Sequence, residues 1–225
     1  MIKVTLFKRK HRLNKNFMTP YTYLALGDSY TIGEQVPLAD SFPCQTVQLI
    51  RNEIDKDSRP ERSFTAPEIV ATTGWTTDEL LAAIDRTAFL PTYDFVTLLI
   101  GVNNQYRGRS VENFVIEFGQ LLQLAIRFSG NQPKNVFVIS IPDWGITPFA
   151  AGRDLEKIAV EIDGYNEACK RIASLHAVDF IDITQSQRID GHKEGFVAGD
   201  GLHPSGKEYA KWAAQLAKAI QSRIS

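Results

Sequence analysis

The residues best suited to chemistry in this chain are a serine near its start and an acid–histidine pair near its end. Ser29 follows a short apolar run, and Asp200 lies three residues before His203. A serine hydroxyl is a poor nucleophile at neutral pH unless a base activates it, and an imidazole titrates close to that pH. A carboxylate three residues earlier can turn back onto the ring Nδ1–H, which leaves Nε2 facing the serine. The pattern therefore predicts Ser29 as nucleophile, His203 as general base and Asp200 as the group that orients the base.

Acyl transfer at such a serine also needs donors for the oxygen that becomes negative. Gly74 can bring a bare backbone N–H close to that oxygen, Asn103 can add a side-chain amide, and the Ser29 N–H is a third donor. Each residue also has a plainer interpretation, Gly74 as a turn glycine and Asn103 as a left-handed turn residue. We expect all three to form the oxyanion hole.

Three aromatic residues that follow predicted strands are candidates for lining a substrate pocket: Trp75, Tyr106 and Trp144. Such residues equally form ordinary core beneath a loop. The sequence leaves both interpretations open.

Apolar runs alternate along the chain with amphipathic ones. The predicted strands are Tyr21–Leu26, Glu68–Ala71, Phe95–Ile100, Asn135–Ile141 and Val178–Ile183. The predicted helices are Gln45–Ile54, Thr77–Phe89, Val111–Phe128, Asp154–Leu175 and Lys207–Ile220. About five strand–helix repeats predict an α/β fold of three layers, α/β/α, around a central parallel sheet of about five strands. The candidate residues all follow strands, where parallel sheets place their functional loops.

The distribution of charge along the chain indicates which classes of binding partner to expect. The formal net charge of −1 argues against nucleic acid as the main partner. Residues 1–17 carry six basic residues and no acid, so we interpret 1–18 as a basic, poorly ordered tail and 19–225 as a single domain. Contact of the tail with an anionic membrane surface is the weaker alternative.

Targeting and cofactor signals are weak. No apolar run approaches the roughly 20 residues of a membrane-spanning helix, and the N-terminal pattern does not fit a signal peptide, so we expect a cytoplasmic protein without a transmembrane segment. The four histidines lack zinc-ligand spacing, and no phosphate-binding glycine motif stands in place. We expect no metal and no organic cofactor.

The blocks that carry the candidate residues resemble the GDSL family of esterases and lipases, also called SGNH hydrolases. They are, in order, Gly27-Asp28-Ser29, Gly74, Gly101-Val102-Asn103-Asn104 and Asp200-Gly201-Leu202-His203-Pro204. One departure is Asn104, where the family usually has aspartate, and it is expected to alter the hydrogen bonds that support the site. The single glycine of the second block is the thinnest of these matches.

The resemblance implies a flavodoxin-like SGNH hydrolase fold and a serine esterase or acylhydrolase that works through an acyl-enzyme. Its substrate would be a small-molecule ester, either a short-chain acyl ester or a lysophospholipid-like lipid. The alternatives are a carbohydrate O-acetyl esterase and a non-catalytic carbohydrate- or lipid-binding module on the same scaffold.

Overall fold

The computed structural model describes residues 20–56 and 63–224, with side chains to residue 54 and from residue 63. The strands are β1 (Tyr23–Asp28), β2 (Glu68–Thr72), β3 (Phe95–Leu99), β4 (Val136–Ile139) and β5 (Asp179–Ile181). The helices are α1 (Ser29–Ile32), α2 (Phe42–Lys56), α3 (Thr77–Ile84), α4 (Val102–Tyr106), α5 (Val111–Phe128), α6 (Leu155–Leu175), α7 (Thr184–Asp190) and α8 (Gly206–Ile224). Short 3-10 turns occupy Leu38–Asp40, Pro133–Asn135, Trp144–Ile146 and Pro148–Ala150. The predicted basic tail, 1–18, lies outside the described residues.

The five strands form one parallel sheet in the order β2-β1-β3-β4-β5. Every residue of β1, β3 and β4 is buried, as expected of central strands that are covered on both faces. Helix α2 packs with α8, and α5 packs with α3 and α6. The predicted three-layer α/β/α fold with a five-stranded parallel sheet is confirmed.

Several predicted elements end earlier in the structure than the sequence predicts, most clearly one helix and one strand. Helix α3 ends at Ile84 because the following segment leaves the helix path to place Phe89 against Phe128, with ring centroids 4.4 Å apart. Strand β5 stops at Ile181 because the N–H of Ile183 bonds to the Ser140 hydroxyl, at 2.9 Å, and not to a neighbouring strand. Local contacts with other elements therefore set both ends.

The short helices α1, α4 and α7 are absent from the sequence interpretation. Helices of four to seven residues span too few turns to show a helical period in hydrophobicity. Two of them, α1 and α4, begin just beyond central strands and carry Ser29 and Asn103.

An aromatic cluster joins the core beneath α2 and α8 to the end of β1. Phe42 and Trp212 are fully buried with centroids 6.2 Å apart, and Trp212 lies 6.3 Å from the ring of Tyr30. The Tyr30 ring in turn contacts that of His203, at 5.4 Å. Packing of this helix pair therefore reaches residues next to the candidate nucleophile and base.

Truncating Phe42, which packs on Trp212 in this cluster, tests how much the cluster contributes to stability. We expect Phe42→Ala to lower the free energy of unfolding by roughly 3–5 kcal/mol, because it removes a fully buried aromatic ring and leaves a cavity. Urea denaturation measures the change. Leu49→Ala, on the same helix but 38% exposed, is the matched control and should lower the free energy of unfolding much less. Equal losses in the two variants would show that the aromatic cluster contributes no more to stability than an exposed position.

Candidate active site

Ser29 lies at the junction of β1 and α1. Asp28 caps the helix, and its Oδ1 accepts a hydrogen bond from the Tyr30 N–H at 3.1 Å. Gly27 is required here because a Cβ at this position would collide with the Leu99 carbonyl oxygen on the adjacent strand. The serine is therefore presented at the first residue of a helix, directly beyond the carboxyl end of a central strand.

The predicted acid–histidine pair is formed in the structure. His203 Nδ1 lies 2.5 Å from Asp200 Oδ2, while Asp200 Oδ1 accepts the backbone N–H groups of Leu202 and His203, each at 3.0 Å. The turn that allows this passes through Gly201, which has a left-handed φ of 72°. With Nδ1 held by the carboxylate, Nε2 is the ring nitrogen left for chemistry.

The balance of forces on Asp200 favours its ionised form. Partial burial raises its pKa, but the hydrogen bonds from the His203 ring and from the two backbone N–H groups outweigh that and leave the pKa below its ordinary value. An ionised carboxylate is the form that holds Nδ1 as a donor and stabilises an imidazolium.

One cavity of about 160 Å³ brings together residues from both ends of the chain. Its lining comprises Ser29, Tyr30, Val102, Asn103, Tyr106, Trp144, Phe149, Leu202 and His203. The predicted nucleophile and base thus face the same space, with two of the three predicted pocket aromatics. Among the described residues that line it, none is an aspartate, a glutamate, a lysine or an arginine.

Trp75, the third predicted pocket aromatic, is not part of that lining. Its ring is half-buried and packs against the core, which matches the plainer interpretation of this residue. Its carbonyl oxygen accepts a hydrogen bond from Asn103 Nδ2 at 2.9 Å. The bond uses one N–H of the Asn103 amide and leaves the other available to a bound group.

Gly74 lies two residues beyond β2, the strand beside β1. It has a left-handed φ of 83°, and its carbonyl oxygen accepts Arg107 Nη2 at 2.7 Å. Its N–H has no hydrogen-bond partner within the described residues, so the donor that the oxyanion prediction requires is free, although Gly74 is not part of the cavity lining.

Asn104 is fully buried and supports the loop that carries Asn103. Its Oδ1 accepts the Thr77 N–H at 3.1 Å, and its Nδ2 donates to Thr77 Oγ1 at 2.6 Å. The Thr77 hydroxyl donates in turn to Glu117. Because that hydroxyl gives its one proton to Glu117, it can only accept from residue 104, and asparagine supplies the donor that aspartate lacks.

Asp28 is a second carboxyl group beside the nucleophile, in a very different environment. It is fully buried, and its Oδ2 has no hydrogen-bond partner among the described residues. Burial raises its pKa to about 7, although the Tyr30 N–H lowers it. Asp28 caps α1, and the carboxylate bonded to His203 Nδ1 is that of Asp200.

Several residues of the site carried a weak signal or none in the sequence. Tyr30, Val102 and Leu202 line the cavity. Each is the sequence neighbour of a predicted site residue, and that position was the one indication of their role in the sequence. Glu117 has no such clue, since it lies 40 residues from Thr77 along the chain and meets it only in the folded structure.

Metal and membrane features can be stated only for the part of the chain that is described. There, no group of three or more histidine, cysteine, aspartate or glutamate residues could hold a metal ion. No helix in residues 20–56 and 63–224 combines the length and apolar character needed to cross a membrane.

The sequence and the fold both match known proteins. The model of the GDSL-like lipase/acylhydrolase family matches residues 25–211, while no curated protein sequence matches significantly. A lipase/acylhydrolase from Enterococcus faecalis is 22% identical, with 90% of this chain and 96% of that one covered and a TM-score of 0.64.

Two esterase structures are similar in the same way. The psychrotrophic esterase EstA from Pseudoalteromonas sp. is 14% identical over 90% of this chain and 98% of that one, with a TM-score of 0.65. The acetyl xylan esterase AlAXEase is also 14% identical, over 88% and 99% of the two chains, with a TM-score of 0.65. At these identities the structural similarity concerns the fold alone.

The direction of the hydrogen bonds at Thr77 gives a testable consequence. We expect Asn104→Asp to lower the free energy of unfolding by about 1–3 kcal/mol at pH 8, because two acceptors then compete for one hydroxyl proton in a buried place. Glu117→Gln alone should be nearly neutral. When both substitutions are combined, the new amide at position 117 can donate to Thr77, whose hydroxyl then donates to the new carboxylate at position 104, so stability should recover. Additive losses in urea denaturation would contradict this relay.

The raised pKa of Asp28 predicts a pH-dependent stability. Between the ordinary value of 3.8 and about 7, the unfolded chain has released the Asp28 proton while the folded chain keeps it, so wild-type stability falls as pH rises through this window. The amide introduced by Asp28→Asn does not titrate and keeps the bond from the Tyr30 N–H. The stability gain of this variant over wild type should therefore grow from pH 5 to pH 8 in urea denaturation, with Asp85→Asn, at an exposed aspartate, as control.

Proposed function

Since the chain belongs to the GDSL-like lipase/acylhydrolase family, we propose that it is a serine esterase that cleaves short-chain carboxylic esters through an acyl-enzyme. The observation that carries the proposal is the Asp200–His203 pair, whose histidine lines the same cavity as Ser29. A buried serine beside a histidine oriented by a carboxylate is the arrangement that nucleophilic acyl transfer requires.

In the proposed first half-reaction, Ser29 Oγ attacks the ester carbonyl carbon and its proton passes to His203 Nε2. Asp200, kept ionised, stabilises the imidazolium that forms. The tetrahedral intermediate collapses when its carbon–oxygen bond to the alcohol breaks, and the imidazolium returns the proton to that alcohol. Water then attacks the acyl-enzyme along the same proton path and releases the acid and Ser29.

The developing oxyanion is assigned to three donors: the backbone N–H groups of Ser29 and Gly74, and the free N–H of the Asn103 amide. The bond from Asn103 to the Trp75 carbonyl holds that amide in place before substrate arrives. A donor that needs no reorganisation during the reaction stabilises the transition state most, and one such donor is worth roughly 10²–10³ in turnover.

The size of the cavity supports a short acyl group. Its volume of about 160 Å³ is close to that of an engineered apolar cavity of roughly 150 Å³ that holds benzene. It is well below the roughly 300–1,000 Å³ of sites for drug-sized ligands. Acetyl to butyryl groups fit this space, and long lipid chains would have to leave it. An O-acetylated carbohydrate is the second candidate, since its acetyl group is small enough to enter.

The decisive test compares hydrolysis of p-nitrophenyl acetate, butyrate and octanoate by wild type and by Ser29→Ala. We expect the variant to lose roughly 10⁴- to 10⁶-fold in kcat, and the wild-type profile to fall from the short esters to octanoate. Ser186→Ala is the matched control, because that buried hydroxyl has no hydrogen-bond partner among the described residues.

Equal rates for wild type and Ser29→Ala would remove the proposed mechanism. Should neither protein turn over these esters, a serine-reactive fluorophosphonate probe shows whether Ser29 is nucleophilic. Labelling of wild type and not of Ser29→Ala supports a nucleophilic serine with the wrong substrates offered, and absence of labelling supports a non-catalytic binding module.

A further inference from the structure

Arg153 lies over three of the aromatic rings at the cavity. Its guanidinium carbon is 5.2 Å from the ring centre of Tyr106, 5.3 Å from that of Trp144 and 5.7 Å from that of Phe149. All three rings line the space that contains Ser29, and they pack on one another at 5.4 to 6.4 Å. Arg153 itself is exposed, so a cation covers the aromatic wall from the solvent side.

The charge of Arg153 is not balanced by any neighbouring carboxylate within the described residues. Its one hydrogen-bond partner there is the Tyr106 hydroxyl, 3.1 Å from Nη2. The adjacent acid, Asp154, is occupied with the N–H of Lys157 at the start of α6. By contrast Arg107, which bonds to the Gly74 carbonyl oxygen, also pairs with Glu79 at 3.3 Å.

The aromatic contacts also hold the guanidinium in one orientation. A planar cation on aromatic faces within about 6 Å is attracted by the rings, and the bond to Tyr106 fixes its rotation. A guanidinium has five N–H donors, so the bond to Tyr106 leaves others for a ligand. Such a fork matches the two oxygens of a carboxylate or phosphate, and pre-orientation reduces the entropy lost when it binds.

We propose that Arg153 is the binding site for an anionic group, a carboxylate or a phosphate, that the ester substrate carries outside the acyl cavity. The inference rests on the proposed esterase function and adds a substrate class to it. Because the described residues of the lining include no acid, lysine or arginine, the cavity takes the acyl group, and Arg153 selects the charge of the portion that projects from it.

Four matched substrates test this. They are phenyl acetates that carry, in the meta position, a carboxylate, a phosphate monoester, a neutral N-methylamide or a trimethylammonium group. Each releases acetate, and the quantity compared is kcat/KM for each charged ester divided by kcat/KM for the neutral one. Comparing that ratio between protein variants cancels the differences in leaving-group reactivity.

We expect the wild type to favour at least one of the anionic esters over the cationic ester. Arg153→Gln should lower the ratio for that anion by about tenfold or more, the loss expected when a charge-assisted bidentate contact is removed, and leave the neutral ester within about twofold. Arg153→Lys should keep part of the preference, and Arg153→Glu should reverse it towards the cation. Arg171→Gln, at an exposed arginine of helix α6, makes the same change in net charge and should leave every ratio unchanged.

The outcomes separate this inference from the proposed function. Loss confined to the carboxylate or to the phosphate ester identifies which anion the site takes. Unchanged ratios in Arg153→Gln, in an enzyme that Ser29→Ala inactivates, overturn the anion site and leave the esterase intact. If no ester is turned over, calorimetry with meta-hydroxybenzoate and with phenyl phosphate decides: binding weakened at least tenfold by Arg153→Gln supports the site, and equal or absent binding in both proteins rejects it.

Discussion

The candidate site depends on the register of three parallel strands. Asp28 at the end of β1 pairs with Thr72 at the end of β2, and Gly27 pairs with Leu99 at the end of β3. Because parallel strands end at one edge of the sheet, the loops that follow them meet there. Ser29, Gly74 and Asn103 are each within four residues of a strand end. A slip of any one strand would move its residue away from the other two.

The histidine is placed by a different constraint, since it comes from a loop and not from a strand end. The loop is closed by the bond from the Ala198 N–H to the His203 carbonyl oxygen, at 2.7 Å. It packs on Tyr30, the residue after the nucleophile, and Tyr30 packs on Trp212 of α8. The base is therefore positioned against the element that carries the nucleophile, so packing of the core and geometry of the site are coupled.

Two carboxyl groups near Ser29 illustrate how environment separates roles. Asp200 is partly exposed and accepts three hydrogen bonds, so its pKa is lowered and it is suited to hold an imidazolium. Asp28 is buried, with one oxygen unpartnered among the described residues, so burial raises its pKa and it serves to cap α1. A carboxyl group thus serves as the ionised partner of His203 at position 200 and as a helix cap at position 28. Arg107 and Arg153 also differ in their surroundings, because only Arg107 has a carboxylate partner among the described residues.

The sequence by itself determined the architecture and most of the candidate residues. Alternation of apolar and amphipathic runs is a local property, and it predicted the five strands and the three layers. The spacing of Asp200 and His203 is local as well, and the predicted bond between them is present. Only the tertiary structure decided which aromatic residues line the cavity. It also showed that Asn104 supplies a hydrogen-bond donor to Thr77, and that Arg153 lies over the aromatic rings of the cavity. Each of these depends on residues far apart in the chain, such as Thr77 with Glu117 and Arg153 with Tyr106, and no local pattern encodes which distant side chain completes a hydrogen bond or leaves a charge unpaired.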